Sequence, residues 1–333
     1  MIIDGREGEG GGQILRSSLS LSLIKQTPFT LENVRGNRKK PGLKRQHLTC
    51  VKAAKEIGFA ETEGDELNSM KLYFSPQGLN PGNYRFSVGS AGSCNLVLQS
   101  VLPALLTVDS PTHIQLEGGT HNSMSPAYDF LKDSFLPQVK KMGADVNLEI
   151  ERHGFVPNGG GIEKVHINPP NWQSYSLTEK GKLLRKKVEV VISELPDDIP
   201  HRAIKVIGRK LNIDDCSIIR VNSPGPGLCL LIKYEYENVT FVAVFFGQRG
   251  IKMERIANQA VKYVERYLKH DAPVGEYLAD QLLMSMAISG NAEIRCTPLS
   301  LHTTTNINII EKFMGKTFDL KEYKDGSVVI KTV

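Results

Sequence analysis

The sequence predicts a mixed α/β (α+β) protein made of three similar modules, with a smaller α/β unit inserted between the second and the third. Three observations predict it. A glycine-rich stretch that leads into an apolar helical run, a strand, a second helix and a terminal hairpin occurs three times along the 333 residues. Between the second and third occurrences, the stretch near Leu183 to His270 has a different order of elements. The composition, 40% hydrophobic and 23% charged, suits a soluble chain with room for more than one core.

In the first module, Gly10-Gly11-Gly12 precedes an apolar run from Ile14 to Ile24, a strand over Phe29 to Val34, and a helix from about Pro41 to Ile57. A hairpin of Leu72 to Phe74 with Tyr84 to Val88 closes it. The second module opens at Gly89-Ser90-Ala91-Gly92, continues through a helix over Leu96 to Leu106 and a strand over His113 to Leu116, and has its second helix from Ser125 to Met142. Strands follow at Val146 to Glu151 and Ile162 to Ile167, on either side of a glycine turn. The third opens at Gly275, with a helix over Leu278 to Ile288, a strand at Ala292 to Cys296, a helix starting near Thr304 and a hairpin turned by Asp325-Gly326. In the insert, Val188 to Ile192, Leu228 to Tyr234 and Val239 to Phe246 read as strands by their β-branched and aromatic content. Ile251 to Leu268 reads as an amphipathic helix. The expected division is therefore 1–182 with 271–333 as the larger domain and 183–270 as the inserted one.

Composition narrows the classes of function. No window approaches the apolar length of a membrane span, and the opening MIIDGREGEGGGQ lacks the regions of a signal peptide, so a cytoplasmic protein is expected. The five cysteines are scattered, without a CxxC pair or histidines at metal-ligand spacing, which predicts a reducing compartment and no structural zinc. A net charge of +5 from 41 basic and 36 acidic residues is mild for a nucleic-acid binder, so the distribution of charge matters more than its sum.

Three segments carry residues suited to chemistry. Glu9 before Gly10-Gly11-Gly12-Gln13 puts a carboxylate and flexible backbone at a helix N-terminus, where free N–H groups favour anions; tight turns use glycine runs as readily. Six cations lie within the eleven positions from Arg35 to Arg45, a pattern that suits phosphate oxygens or a solvated loop. His302, in Leu301-His302-Thr303-Thr304-Thr305-Asn306, falls just before the last helix. A neutral imidazole there can attack phosphorus, or simply cap and pack.

Read together, these segments resemble the RNA 3′-terminal phosphate cyclases over nearly the whole chain. The resemblance is carried by Glu9 to Arg16, Lys40-Pro41-Gly42-Leu43, Arg45-Gln46-His47-Leu48, Gly89-Ser90-Ala91-Gly92-Ser93-Cys94, His153-Gly154-Phe155, Gly275 to Gln281 and the His302 segment, in family order. It implies βαβαββ modules like the C-terminal domain of translation initiation factor 3, and an ATP-dependent conversion of an RNA 3′-phosphate end to a 2′,3′-cyclic phosphate. The histidine matching His302 would form histidyl-AMP, AMP would pass to the RNA 3′-phosphate, and the ribose O2′ would displace it.

The resemblance also implies roles for individual residues. Glu9 is expected to contact a divalent metal, magnesium or manganese. Arg16, Arg35, Arg38, Gln46 and His47 would meet phosphates and RNA, and Gln99, Pro126, Phe130, Tyr277, Asp280 and Gln281 would enclose the adenosine of ATP. Two departures stand out: Leu301 precedes the nucleophile where some relatives carry cysteine, and His121 occupies a frequently acidic site. Scaffold relatives of this fold lack the nucleophilic histidine that this chain has. Enolpyruvyl transferases, built from similar modules, would be expected to contain six of them.

Overall fold

In the computed structural model, which describes residues 1–333, the first module runs β1 (Ile2–Asp4), α1 (Gly12–Lys25), β2 (Phe29–Glu32), α2 (Arg45–Gly58), β3 (Glu61–Glu63) and β4 (Leu72–Ser75). Its sheet is ordered β1-β2-β4-β3, with β1 and β2 parallel and the other pairings antiparallel. The second module repeats this order with β5 (Asn83–Ser87), α3 (Cys94–Leu105), β6 (Thr112–Gly118), a second helical segment, β7 (Asp145–Arg152) and β8 (Gly161–Asn168), in a sheet β5-β6-β8-β7. That helical segment is not uniform: α4 (Tyr128–Phe130) passes through a π-helical turn, Leu131–Phe135, into α5 (Leu136–Lys141).

The third module starts with β9 (Tyr175–Leu177) and is then interrupted by β10 (Leu183–Ser193), α6 (Asp198–Leu211), β11 (Cys216–Arg220), β12 (Gly227–Tyr236), β13 (Thr240–Phe246) and α7 (Met253–Leu268). It resumes with α8 (Glu276–Ser289), β14 (Ala292–Cys296), α9 (Leu301–Met314), β15 (Phe318–Glu322) and β16 (Val328–Thr332), and its sheet is again ordered β9-β14-β16-β15. In each module a helix separates the two parallel strands, because a parallel pair needs a crossover where an antiparallel one needs only a turn. No helix is long and apolar enough to cross a membrane.

Several boundaries differ from the sequence expectation. Tyr84 to Val88 does not close the first module. β5 opens the second, with Tyr84 beside Ile114 and Phe86 beside Leu116 in parallel register. The third module begins before the insert rather than at Gly275, because its first strand, β9, is only three residues long and carries little signal. α2 starts at Arg45 rather than near Pro41, since Gly42 sits at φ +75° and Lys44 is extended. α6 and β11 had no counterpart in the pattern reading. α9 starts at Leu301, where the Ser300 hydroxyl accepts from the Thr303 N–H at 3.1 Å, so His302 lies in the first turn of that helix and not on the loop before it.

α1 shows how the sequence fixes the core. Ile14, Leu15, Leu19, Leu21 and Leu23 are at most 1% exposed, and the serines between them are buried too. Three of their hydroxyls are satisfied: Ser17 donates to Asn306 Oδ1 at 2.7 Å, Ser20 to the Ser100 carbonyl at 2.8 Å and Ser22 to that of Thr27 at 2.6 Å, while the Ser18 hydroxyl has no partner. The small polar residues let α1 pack between α3 and α9 while its leucines supply apolar area, each worth about 1.5–3 kcal/mol when fully buried. The sheet β11-β10-β12-β13 is apolar on both faces. Val188, Val190, Ile192, Leu228, Leu230 and Ile232 form a separate cluster with α6 and α7, whereas Val191, Cys229 and Leu231, which alternate with them, join the main core. Lys180 Nζ donates to the His270 carbonyl at 2.6 Å, so the two ends of this segment meet.

Candidate active site

The glycine loop between β1 and α1 carries Glu9 into the molecule. Gly10 has φ +60°, open to glycine at little cost, and Gly11 is the residue preceding α1. A Cβ on Gly11 would lie 2.5 Å from Glu9 Oε2 and 2.6 Å from Arg38 Nη2, and one on Gly12 would lie 2.6 Å from His47 Nε2 and 2.8 Å from Arg16 Nη1. The loop is therefore walled by four of the expected site residues, brought together from α1, α2 and the basic segment. Arg38 is ion-paired with Glu9, whose side chain is only 7% exposed, and the Glu9 N–H is held by Thr305 Oγ1 at 2.9 Å.

His302 faces this loop across the α1–α9 contact. Its Nδ1 is 2.6 Å from Gln13 Oε1, and Gln13 Nε2 donates to Asp280 Oδ1 at 2.5 Å. A carboxamide oxygen only accepts, so Nδ1 carries the proton and the Nε2 lone pair is left free. Asn306 Nδ2 donates to the Asp280 carbonyl at 3.1 Å and carboxylate at 3.2 Å, and itself accepts from Ser17 Oγ at 2.7 Å. Burial holds His302 below its ordinary pKa, with Arg16 and Arg38 acting in the same direction against the pull of Asp280. Burial also raises the Asp280 carboxyl above its usual value, opposed by His302 and Gln13. His47 is pushed down to about 3 by burial and by Arg16, Arg35, Lys44 and Arg38, so it is neutral.

Beside the relay opens a cleft of about 700 Å³, including its mouth, between α1, α3, the π-turn and α8. One end is polar, with Gln13, Arg16, Gln99, Asp280 and Gln281; the other is apolar, with Leu102, Leu106, Phe135 and Met284. Gln99 and Gln281 are hydrogen-bonded to each other across it. Of the residues expected around adenosine, Gln99, Asp280 and Gln281 line this cleft. Phe130 and Tyr277 line a smaller one with Phe241 and Tyr263. The Pro126 carbonyl accepts from Asn95 Nδ2 at 2.9 Å, and Pro126 lines neither cleft.

Two members of the expected phosphate- and RNA-binding set have work within the fold. Arg35, at φ +56°, donates through Nη1 to the carbonyls of Lys40 at 2.8 Å and Gly42 at 2.9 Å, bracing its own loop. Gln46 Oε1 accepts from the Ser93 N–H at 2.9 Å, tying α2 to the second glycine loop. Sequence reasoning missed Gln13, Asn306 and the apolar wall. The i, i+4 spacing of His302 and Asn306 was the available signal for one of them.

Three buried polar atoms lack partners at the loop: Glu9 Oε2, Arg16 Nε and His47 Nδ1. An acid oxygen and a guanidinium donor left so in one place suit a divalent cation and phosphate oxygens, respectively. Among solved structures, the chain is similar to the enolpyruvyl transferase NikO from Streptomyces tendae at 9% identity and a TM-score of 0.40, over 99% of this chain and 48% of that one. The chain thus spans about half the length of that protein. Residues 7–320 match the family described as RNA 3′-terminal phosphate cyclase, and the chain belongs to that family.

Proposed function

We propose that the protein is an RNA 3′-terminal-phosphate cyclase that uses ATP and works through a histidyl-AMP intermediate. The observation that carries this reading is the relay Asp280–Gln13–His302, which fixes the proton on Nδ1 and leaves Nε2 as a neutral nucleophile beside Arg16 and the glycine loop. In the first step a bond forms from Nε2 to the α-phosphorus of ATP, and the bond to pyrophosphate breaks. An oxygen of the RNA 3′-phosphate then takes the adenylyl group, breaking the P–N bond and restoring the imidazole. Finally the ribose O2′ loses its proton and attacks the activated 3′-phosphorus, expelling AMP. That last step is intramolecular, which removes much of the entropic barrier.

The adenine is proposed to enter the larger cleft, with its faces against Leu102, Phe135 and Met284 and its edges towards Gln99 and Gln281. Arg16, Arg38 and His47 would meet the phosphates and the RNA end, with Arg35 and Gln46 holding the loops that present them. Magnesium or manganese at Glu9 would offset phosphate charge during transfer. The larger domain is taken as 1–182 with 271–333 and the inserted one as 183–270, supported by their separate apolar clusters and by the meeting of Lys180 and His270. The thrice-repeated strand order favours modules of the kind found in the C-terminal domain of translation initiation factor 3. Five unpaired cysteines favour a cytoplasmic location.

The test is covalent labelling with α-labelled ATP and a divalent cation. Wild type should retain acid-labile, alkali-stable label, and His302→Asn should retain none while still closing the ring on RNA that already carries a 3′-adenylyl group. Acid-stable label on wild type, or full labelling of the variant, would move the nucleophile elsewhere.

A further inference from the structure

Away from the active site, the loop after β6, the short α4 and the beginning of β12 converge on one buried point. His121 comes from the first, Asp129 from the second and Cys229 from the third, and one potential ligand atom of each lies within 4.8 Å of the others. His121 is 1% exposed and Cys229 is fully buried. We propose that these three side chains form a binding site for one zinc-like divalent cation, which joins the second module to the inserted sheet.

The donor set argues for a borderline-soft metal. An imidazole nitrogen, a carboxylate oxygen and a thiolate sulfur match zinc, whereas magnesium or manganese would be held by oxygen alone. The charges close as well, since one aspartate and one thiolate balance a dication in a place where uncompensated charge is costly. His121 Nδ1 lies 2.7 Å from Thr120 Oγ1, the outer contact that typically orients a ligating histidine, which leaves Nε2 to face Asp129 Oδ2 at 2.8 Å. A tetrahedral ion with bonds near 2.1 Å requires that separation to open to about 3.4 Å, a shift within the reach of two χ rotations.

The surroundings favour retention of the ion. His153 stacks on His121 at 5.1 Å and Phe155 lies at 5.2 Å, shielding one side. Lys233, the cation nearest on β12, is already paired with Asp133 at 2.6 Å and with Glu189. Both oxygens of Glu163 are buried without partners in the neighbouring strand β8, so the polar cluster around the site carries more acid than its hydrogen bonds satisfy. Asp129 stands two residues before the π-helical turn, an irregularity that often marks a functional position. Sequence spacing gave no warning, because His121 lies in the second module and Cys229, more than a hundred residues on, in the inserted sheet.

Cobalt substitution distinguishes this site from the active-site cation. Full-length protein stripped with a chelator and reloaded with Co²⁺ should develop a thiolate-to-cobalt charge-transfer band, which an oxygen site at Glu9 cannot give. The band should vanish in Cys229→Ser and in His121→Asn, and elemental analysis of wild type from zinc-supplemented cells should find a single zinc per chain. Adding Zn²⁺ to stripped wild type should raise Tm where the same amount of Mg²⁺ does not, a readout that holds even if a variant folds poorly. Absence of the band from stripped, folded wild type, or its persistence in Cys229→Ser, overturns the proposal and reduces His121–Asp129 to a hydrogen-bonded clamp.

Discussion

Replacing Gln13 with alanine isolates what the relay contributes to the proposed self-adenylylation. The substitution removes the acceptor that keeps the His302 proton on Nδ1 at 2.6 Å and one of the donors to Asp280. Asp280 keeps its bonds from Asn306 at 3.2 Å and from Gln281 at 3.3 Å, so the carboxylate stays partly satisfied and the fold should survive. The lost bond and the newly unpartnered group are together worth about 1–3 kcal/mol, which as a barrier corresponds to labelling roughly 5- to 150-fold slower. Single-turnover labelling with α-labelled ATP measures this directly, with ring closure on pre-adenylylated RNA as the step that should not change. Gln13→Glu sharpens the test, because it keeps an acceptor for Nδ1 but adds a carboxylate beside the imidazole. The new charge stabilises imidazolium, so the His302 pKa rises from its depressed value and labelling fails at a higher pH than in wild type as the medium is acidified. An unchanged rate in folded Gln13→Ala, or a loss as complete as that of His302→Asn, would refute the relay.

Arg38→Ala leaves the nearly buried Glu9 without its ion pair and should weaken use of a 3′-phosphorylated RNA by the equivalent of about 1.5–3 kcal/mol, one charged hydrogen bond. Arg35→Ala should lower Tm as well as cyclisation, since two carbonyls of its loop lose their donor; wild-type turnover in both variants would demote the segment to solvated surface. An RNA ending in a 2′-deoxy nucleotide should accumulate as the 3′-adenylylated species, and release of AMP from it at the normal rate without hydrolysis would reverse the proposed order of steps. Because His47 is held neutral down to about pH 3 while the unfolded chain takes up a proton near its ordinary 6.5, stability is full above that value and is lost as pH falls through this window. Thermal melts of wild type and His47→Gln across that range should diverge at the acid end, and parallel curves would contradict the assignment.

Much of the repeat was legible because its signals are local. Glycines at helix starts, apolar runs such as Ile14 to Ile24, and the β-branched content of Val188 to Ile192 report their own conformation. What failed was pairing. Nothing in Tyr84 to Val88 says whether its partner is β4 or β6, and a three-residue strand such as β9 has too little pattern to see, so the module boundary was misplaced twice. Gln13 and His302 were both visible as members of motifs. Their contact was not, since it depends on how α1 and α9 pack. The Arg35 guanidinium illustrates the converse: its charge was legible, but its Nη1 is spent on two carbonyls of its own loop.

The contacts between the glycine loop and α9 have a consequence for how the protein is made. Glu9 and Thr305 are 296 residues apart in sequence, and Ser17 and Asn306 are 289 apart, yet each pair is in direct hydrogen bond. During synthesis the first module must wait for nearly the whole chain before α1 can be enclosed, and the buried leucines of that helix remain a liability to aggregation until then. The same arrangement would make the proposed nucleophile a checkpoint. If His302 is the nucleophile as proposed, a chain that stops short of α9 would lack both it and the wall that shapes the glycine loop, so no partial product of translation would trap ATP as a covalent adduct.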